Sequence, residues 1–307
     1  MPYDAIKELS TVVKGKILYQ VPLSRYSSLR VGGIADIMLY PANLTELQKV
    51  MCWCRTENVP YFILGRGSNL VIRDGGIRGI VIKLSQSFKK IKTVKESGKH
   101  ARLLVEAGVS LRSLLTYSVS RGLSGLEFTS GIPGSLGGAL AMNAGAQGRE
   151  MKDITETLTL LTPRAALREI KRAALRFDYR RLHLSKGTVI VNASISLKKH
   201  RTSALLHTIK KSASWRRQTQ PLNLPSAGSV FKNPPGRSAG QLVEQVGLKG
   251  LQVGKAQISE KHANYIVNRG GATARDVLSL IEIMQKRVYQ ETGIRLEKEV
   301  HVVGENA

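Results

Sequence analysis

GIPGSLGGALAMNAGAQG, residues Gly131 to Gly148, sets six glycines in eighteen positions, and the reading of the whole chain turns on it. A flexible Gly/Ser linker would lack the interleaved Ile132, Leu136, Leu140 and Met142, and would not hold Pro133 and Asn143 between glycines. Without a Cβ, glycine lets backbone N–H groups approach a ligand and turn at positive φ, which a phosphate cradle requires. The same residues also suit a crossing of two backbones where side chains do not fit. The motif alone leaves both readings open.

Working outward, 307 residues with 42% hydrophobic content can fill the cores of two domains. The opening stretch MPYDAIKELSTVVKGKILYQ has no continuous apolar core for secretion, and no later run reaches the length of a membrane span. We therefore expect a cytoplasmic protein without membrane insertion. Cys52 and Cys54, one residue apart in a helical pattern, point in different directions and support neither a disulfide frame nor a metal site. Lys and Arg number 47 against 22 acidic residues, a formal +25. These cations are scattered in pairs such as Lys89-Lys90 and Arg216-Arg217, and the longest cluster is Lys198 to Arg201. Aromatics are only 5% and no RNA-stacking motif is present, so the charge reads as a field for anionic small molecules rather than an obligate nucleic-acid site.

In chain order, Gly32-Gly33 precede an apolar strand ended by Pro41. Asn43 and Glu46 form a capping-box-like start to a helix reaching about Asn58. Short β-type runs follow at Tyr61 to Leu64, Leu70 to Ile72 and Gly79 to Leu84, and Gly65-Arg66-Gly67-Ser68-Asn69 lies between the first two. That loop is a second candidate cradle, since two glycines expose backbone donors and Ser68 and Asn69 add side-chain donors. A strand rather than a helix follows it, so it is not a dinucleotide fingerprint, and no GxxxxGK[ST] loop occurs. Residues 86–100 read as a polar hairpin or excursion. Ser110 caps a helix ending at Gly122, and Glu156 to Thr162 and Thr188 to Leu197 read as strands. After His200 the pattern turns helical: Thr202 to Gln218, Ser238 to Val246, and a long stripe of Val277, Leu280, Ile281, Met284 and Val288 started by Thr273 with Asp276 and stopped by Gly293. A last strand is expected over Ile294 to Val303.

Three separated pieces, GRGSN at 65–69, the glycine stretch, and SAGSVFKNP at 226–234, together resemble the UDP-N-acetylenolpyruvoylglucosamine reductase family. Phe177-Asp178-Tyr179-Arg180, QVGLKG at 245–250, KHANYIVN at 261–268 and LEKEV at 296–300 add to the resemblance, which runs from about Ser27 to Val303. It implies an α+β chain: a two-lobed FAD-binding domain of the p-cresol methylhydroxylase type over residues 1–200, with lobes of about 1–84 and 85–200, then a smaller α+β substrate-binding domain over 201–307. The 49 positions between Arg180 and Ser229 leave no room for a long lid, as in the shorter class that lacks a tyrosine-bearing substrate loop.

The implied activity reduces the enolpyruvyl ether of a UDP-sugar to a lactyl ether for peptidoglycan. The hydride comes from NADPH by way of non-covalent FAD, and no metal is involved. The resemblance implies cofactor contacts from Gly32, Gly33, Gly65, Arg66, Gly67, Ser68, Asn69, Ile132, Pro133, Gly134, Gly137, Gly138, Ala139, Asn143, Gly145 and Arg217. It makes Ser229 the proton donor, with Lys232 or Arg180 favouring its alkoxide, Arg180 the partner of the substrate carboxylate, and Glu299 a third catalytic group that must be protonated or bridged by water beside an anion. Lys232, Asn233 and His262 are implied substrate contacts. Ile132, Leu136 and Ala141 are apolar candidates to line a flat ring. Gln147 stands where the family often has an aromatic or histidine, and His301 where it often has Arg or Lys. An oxidase or dehydrogenase of the same fold, or a basic RNA-binding protein on a flavin fold, are the competing readings of the residues.

Overall fold

Asn43 begins the first long helix, Leu44–Thr56, by accepting from Glu46 N at 3.0 Å. The buried Glu46 carboxylate turns back to accept from Ala42 N at 2.9 Å and Gly15 N at 2.8 Å, so the reciprocal half of the box goes to neighbours of the cap rather than to the cap itself. The computed structural model describes residues 3–307, with side chains from Glu8 onward.

The chain divides into two units, each of three segments: 1–19, 37–65 and 79–214 form the first, and 20–36, 66–78 and 215–307 the second. This differs from a contiguous division near residue 200. The reason is pairing: strand His301–Val303 lies parallel to Leu70–Ile72, and Asp74 caps a C-terminal helix, so 66–78 is built into the second unit.

In the first unit, the main sheet runs in the order Leu167–Lys171, Thr155–Leu161, Val189–Lys199, His100–Glu106, Ile91–Ser97, antiparallel throughout. Ala193, Ile195 and Leu197 alternate inward along the central strand and are buried with Leu103 and Val105 of its neighbour. Tyr61–Ile63 pairs parallel with residues 80–82. Helices Leu111–Ser120, capped by Ser110, and Leu136–Ala141, capped by Ser135, complete the core cluster.

In the second unit, a four-stranded antiparallel sheet runs Ser226–Ser229, Tyr265–Asn268, Ala256–Ile258, Gln252–Val253. Helix Ala274–Thr292 packs into the same core through Val277, Leu280, Ile281, Met284 and Val288, each burial contributing roughly 1.5–3 kcal/mol. Thr273 and Asp276 form its capping box, and Gly293 ends it at φ 70°. Asp74 accepts from Ala274 N at 2.8 Å and Arg275 N at 2.9 Å, satisfying two further donors of the first turn.

The expected last strand is shorter than the alternation over 294–303 suggested. Residues 294–300 are irregular apart from a single bridge between Phe231 and Lys298, and only His301–Val303 is strand. Leu296 and Val300 are buried, but Lys298 between them, which the two-residue period of a strand would turn to the same face, is exposed. Among the described residues no helix is long and apolar enough to cross a membrane.

Candidate active site

In the first unit a cleft opens beside the glycine stretch, floored by Gly65, Gly108, Gly137 and Gly138 and walled by Leu84, Ala141, Leu184 and Ile190. Ser135, the N-cap of helix Leu136–Ala141, accepts from Gly138 N at 3.4 Å. A Cβ on Gly65 would stand 2.8 Å from Ser135 Oγ and one on Gly138 3.4 Å from it, so side chains at either position would fill the floor. The buried Lys83 fixes the near rim, donating to Gly65 O at 2.8 Å. Apolar walls with hydroxyls of Ser85, Ser135 and Thr188 suit a flat aromatic group with polar edges, and the residues present fit a flavin nucleotide.

Other glycines make close backbone crossings instead. A Cβ on Gly145 would meet Arg149 O at 2.4 Å inside the hairpin Gly145–Ala146 with Arg149–Glu150. In the second unit, Gly32 would meet Ile72 Cβ at 2.8 Å, Gly33 Asp74 O at 2.0 Å, and Gly67, at φ 63°, Tyr26 O at 2.2 Å. Gly134 O accepts from Leu111 N at 3.0 Å, and Gly137 N donates to Ala107 O at 2.9 Å. Within the one motif, some glycines border the cleft and others make close backbone crossings.

Asn143 is fully enclosed, at 0% exposure. Its amide donates to Glu150 Oε2 at 2.9 Å and Asp178 O at 3.0 Å, and its carbonyl accepts from Lys152 N at 3.0 Å. It therefore organises the loops around it and cannot touch a ligand, contrary to the expectation of a direct cofactor contact. Leu136 and Ala139 are likewise core residues, at 0% and 5% exposure, which removes Leu136 from the lining of a flat ring. Ile132 packs partly against the core and Pro133 is exposed. Arg66 is exposed, Ser68 half-buried, and Asn69 Nδ2 donates to Glu299 O at 2.9 Å within the second unit.

Arg180 tips the small hairpin Phe177–Asp178 with Arg181–Leu182, at φ 58°. A left-handed backbone at a non-glycine residue is strained and persists where neighbours fix it. Here Arg180 Nη1 lies 3.8 Å from Glu150 Oε1, its guanidinium is 4.6 Å from the Tyr179 ring, and Asn143 holds the hairpin from below. His183 Nε2 and Asp178 Oδ2 are 2.6 Å apart, and that hydrogen bond holds the Asp178 carboxyl below its usual range. Gln147 exchanges hydrogen bonds with Ser212, at 3.0 and 3.3 Å.

In the second unit, Ser229 ends strand Ser226–Ser229 opposite Tyr265, while Ser226 stands opposite Val267. Two residues, Ala227 and Gly228, therefore face one, Ile266: a β-bulge made possible by Gly228 at φ 79°. The bulge makes Ser229 and Tyr265 direct cross-strand partners, which sets their side chains next to each other on one face of the sheet. Burial pushes the Tyr265 phenol up, against the pull of the Arg216 guanidinium and Ser229, with Glu299 adding to the rise. Neither Tyr265 nor Arg216 was marked by the sequence, because a Tyr within NYIVN reads as core and Arg216 as one of many surface cations.

Lys232 Nζ is 2.5 Å from Glu297 Oε1. Asn233 Oδ1 accepts from Ala239 N at 3.0 Å, starting helix Ala239–Gln245. Burial pushes the His262 imidazole down, and its Nδ1 accepts from Asn264 N at 3.2 Å, so the neutral ring carries its proton on Nε2. Glu299 N donates to Val230 O at 2.8 Å. Arg217 lines a separate cavity of about 690 Å³ with Lys261, Arg269, Gln220 and Ser259, a setting that favours phosphate oxygens.

Residues 35–171 match an FAD-binding domain, and residues 220–303 match the C-terminal domain of UDP-N-acetylenolpyruvoylglucosamine reductase. The chain is 45% identical over 300 residues to that reductase from Syntrophus aciditrophicus, covering 98% of this chain and 96% of the relative. It is 40% identical to the one from Caldanaerobacter subterraneus, covering 98% of each chain. The crystal structure of the reductase from Thermus caldophilus superposes with a TM-score of 0.80 at 36% identity, over 94% of this chain and 98% of that one. Likeness that extends through both domains and almost end to end means that the chain belongs to the UDP-N-acetylenolpyruvoylglucosamine reductase family.

Proposed function

We propose a residue-level account of how this FAD-dependent oxidoreductase of peptidoglycan precursor synthesis performs its reaction. Bound FAD supplies the hydride chemistry, taking reducing equivalents from NADPH for the enolpyruvyl ether of UDP-N-acetylglucosamine. The first unit holds the cofactor: Gly65, Gly137 and Gly138 leave room for it, Ser135 lines the floor, and Lys83 and Asn143 fix the loops that frame it. Gly134 and Gly145 serve by setting loops of that unit, Ile132 and Pro133 flank the cleft, and the buried Ala139 packs behind it; in the second unit Gly32, Gly33 and Gly67 set the loops that carry Arg66, Ser68 and Asn69.

Ser229 delivers a proton to the carbon that bears the ether oxygen. A serine hydroxyl is a weak acid, so it works only where charge develops beside it and where its own oxygen is supported. The observation that carries this assignment is the bulge at Ala227 and Gly228, which pairs Ser229 with a phenol beside Arg216 and Glu299. Arg180 takes the substrate carboxylate in its planar fork. Lys232, Asn233 and His262 bound the substrate region, with Lys232 oriented by Glu297, and Arg217 with Lys261 and Arg269 attracts the diphosphate. We read the chain as the shorter class of the family, cytoplasmic, without an obligate nucleic-acid partner.

The test is a pair of half-reactions followed by flavin absorbance. Ser229→Ala is expected to leave reduction by NADPH intact and to slow reoxidation by the enolpyruvyl substrate by roughly 10²–10⁴-fold. Reoxidation at the parent rate would remove Ser229 from this role.

A further inference from the structure

We propose that Tyr265 is the proton relay behind Ser229: its phenol passes a proton to Ser229 Oγ as Ser229 gives its own to the substrate carbon, and Arg216 holds the phenolate that remains. The proposal rests on the reading of Ser229 as proton donor given above. In bonds, a C–H forms at the substrate as the Ser229 O–H breaks, and a new Ser229 O–H forms as the Tyr265 O–H breaks. The negative charge that arose on the substrate ends on the phenol oxygen, and a proton from water restores it after product leaves.

Three observations converge on this pair. The register of the ladder sets Ser229 directly opposite Tyr265, and only the bulge achieves it, since an unbroken ladder from Ser226 opposite Val267 would bring Gly228 to Tyr265. Tyr265 is 7% exposed, and burial is the largest influence on its phenol, with Arg216 and Ser229 acting in the opposite sense. Its ring is fixed by His262, with centroids 4.9 Å apart, and by its backbone N–H, which donates to His262 O at 3.0 Å.

Four groups from four segments bear on the phenol: Arg216 near the end of its helix, Ser229 across the ladder, His262 in the turn before it, and Glu299 from the C-terminal segment. Burial and Glu299 keep Tyr265 protonated in the resting state, which makes it a donor. Arg216 supports the phenolate when it forms, and a guanidinium keeps its charge even when partly buried. A phenol is a far stronger acid than an aliphatic alcohol, so charge moves downhill from Ser229 to Tyr265.

Tyr265→Phe removes the hydroxyl and keeps the ring against His262. It is expected to slow reoxidation by the enolpyruvyl substrate at least about ten-fold while reduction by NADPH and the substrate KM stay unchanged. A purely structural role would not alter the proton inventory. The rate of that half-reaction in mixtures of light and heavy water should bow less in Tyr265→Phe than in the parent, since one exchangeable hydrogen in flight is lost while the one that reduced flavin itself transfers and the one from Ser229 remain. In cofactor-free protein labelled at tyrosine Cζ, the resonance lost in Tyr265→Phe should move in Ser229→Ala. A parent-like rate, an inventory in Tyr265→Phe bowed as much as the parent's, or an unmoved resonance overturns the relay. If Ser229→Ala stops reoxidation and Tyr265→Phe does not, the relay alone falls; if Ser229→Ala has no effect, the donor assignment falls and the relay with it. Should Tyr265→Phe fail to fold, Arg216→Gln is read the same way, slowed reoxidation supporting the relay and a parent rate overturning it.

Discussion

Gly138 separates holding a ligand from holding the fold. Its missing Cβ points toward the cleft, with Ser135 Oγ at 3.4 Å as the near neighbour, and it lies within helix Leu136–Ala141. Gly138→Leu should therefore keep or raise Tm, since glycine costs a helix about 1 kcal/mol, yet weaken FAD binding at least about ten-fold in a fluorescence titration. Asn143 is the reverse case: Asn143→Ala strands buried partners and should lower stability by about 2–4 kcal/mol in a urea melt. His262 gives a pH signature. Its folded pKa is depressed by burial, so the unfolded chain binds the extra proton first, and stability should fall as pH drops through about 6.5. His262→Gln should flatten that limb of a denaturation-versus-pH curve. The sequence singled out Ser229 and Arg180 through the resemblance carried by SAGSVFKNP and Phe177-Asp178-Tyr179-Arg180, and the glycines through their density over 131–148. It hid Tyr265 and Arg216 because their significance arises only once residues 229 and 265 are paired across a ladder.

At the scale of elements, periodic stripes and caps were readable and irregular backbone was not. Thr273, Asp276 and Gly293 bounded the long helix correctly because the signals are local. Asp74 was missed, although it accepts from the same helix's first turn, because it lies 200 positions away in sequence. Asp74→Ala should cost about 1 kcal/mol, read as a lower Tm with unchanged far-ultraviolet helix content. The overcalled strand over 294–303 has a related cause: Leu296, Lys298 and Val300 look alternating, but Glu299 N and Val300 N both lean on Val230 O, which a regular ladder does not allow. The bulge at Ala227 and Gly228 was likewise invisible, since it is defined by its partner strand.

For the whole molecule, the +25 charge has a measurable consequence. Both the nucleotide donor and a UDP-sugar are anions, so kcat/KM should fall as ionic strength shortens the Debye length from about 10 Å at 0.1 M to about 3 Å at 1 M, while kcat changes little. The scattered basic pairs made this field readable from composition. The interleaving of the units was not, because the parallel pairing of Leu70–Ile72 with His301–Val303 joins segments separated by more than two hundred residues. That pairing also dictates an order of assembly. During synthesis N-terminus first, residues 66–78 wait with their strand edge open until residues 301–303 have been made. Removing residues 301–303 would strike the unit that carries Ser229, while the main sheet of the first unit, complete by Lys199, closes without them.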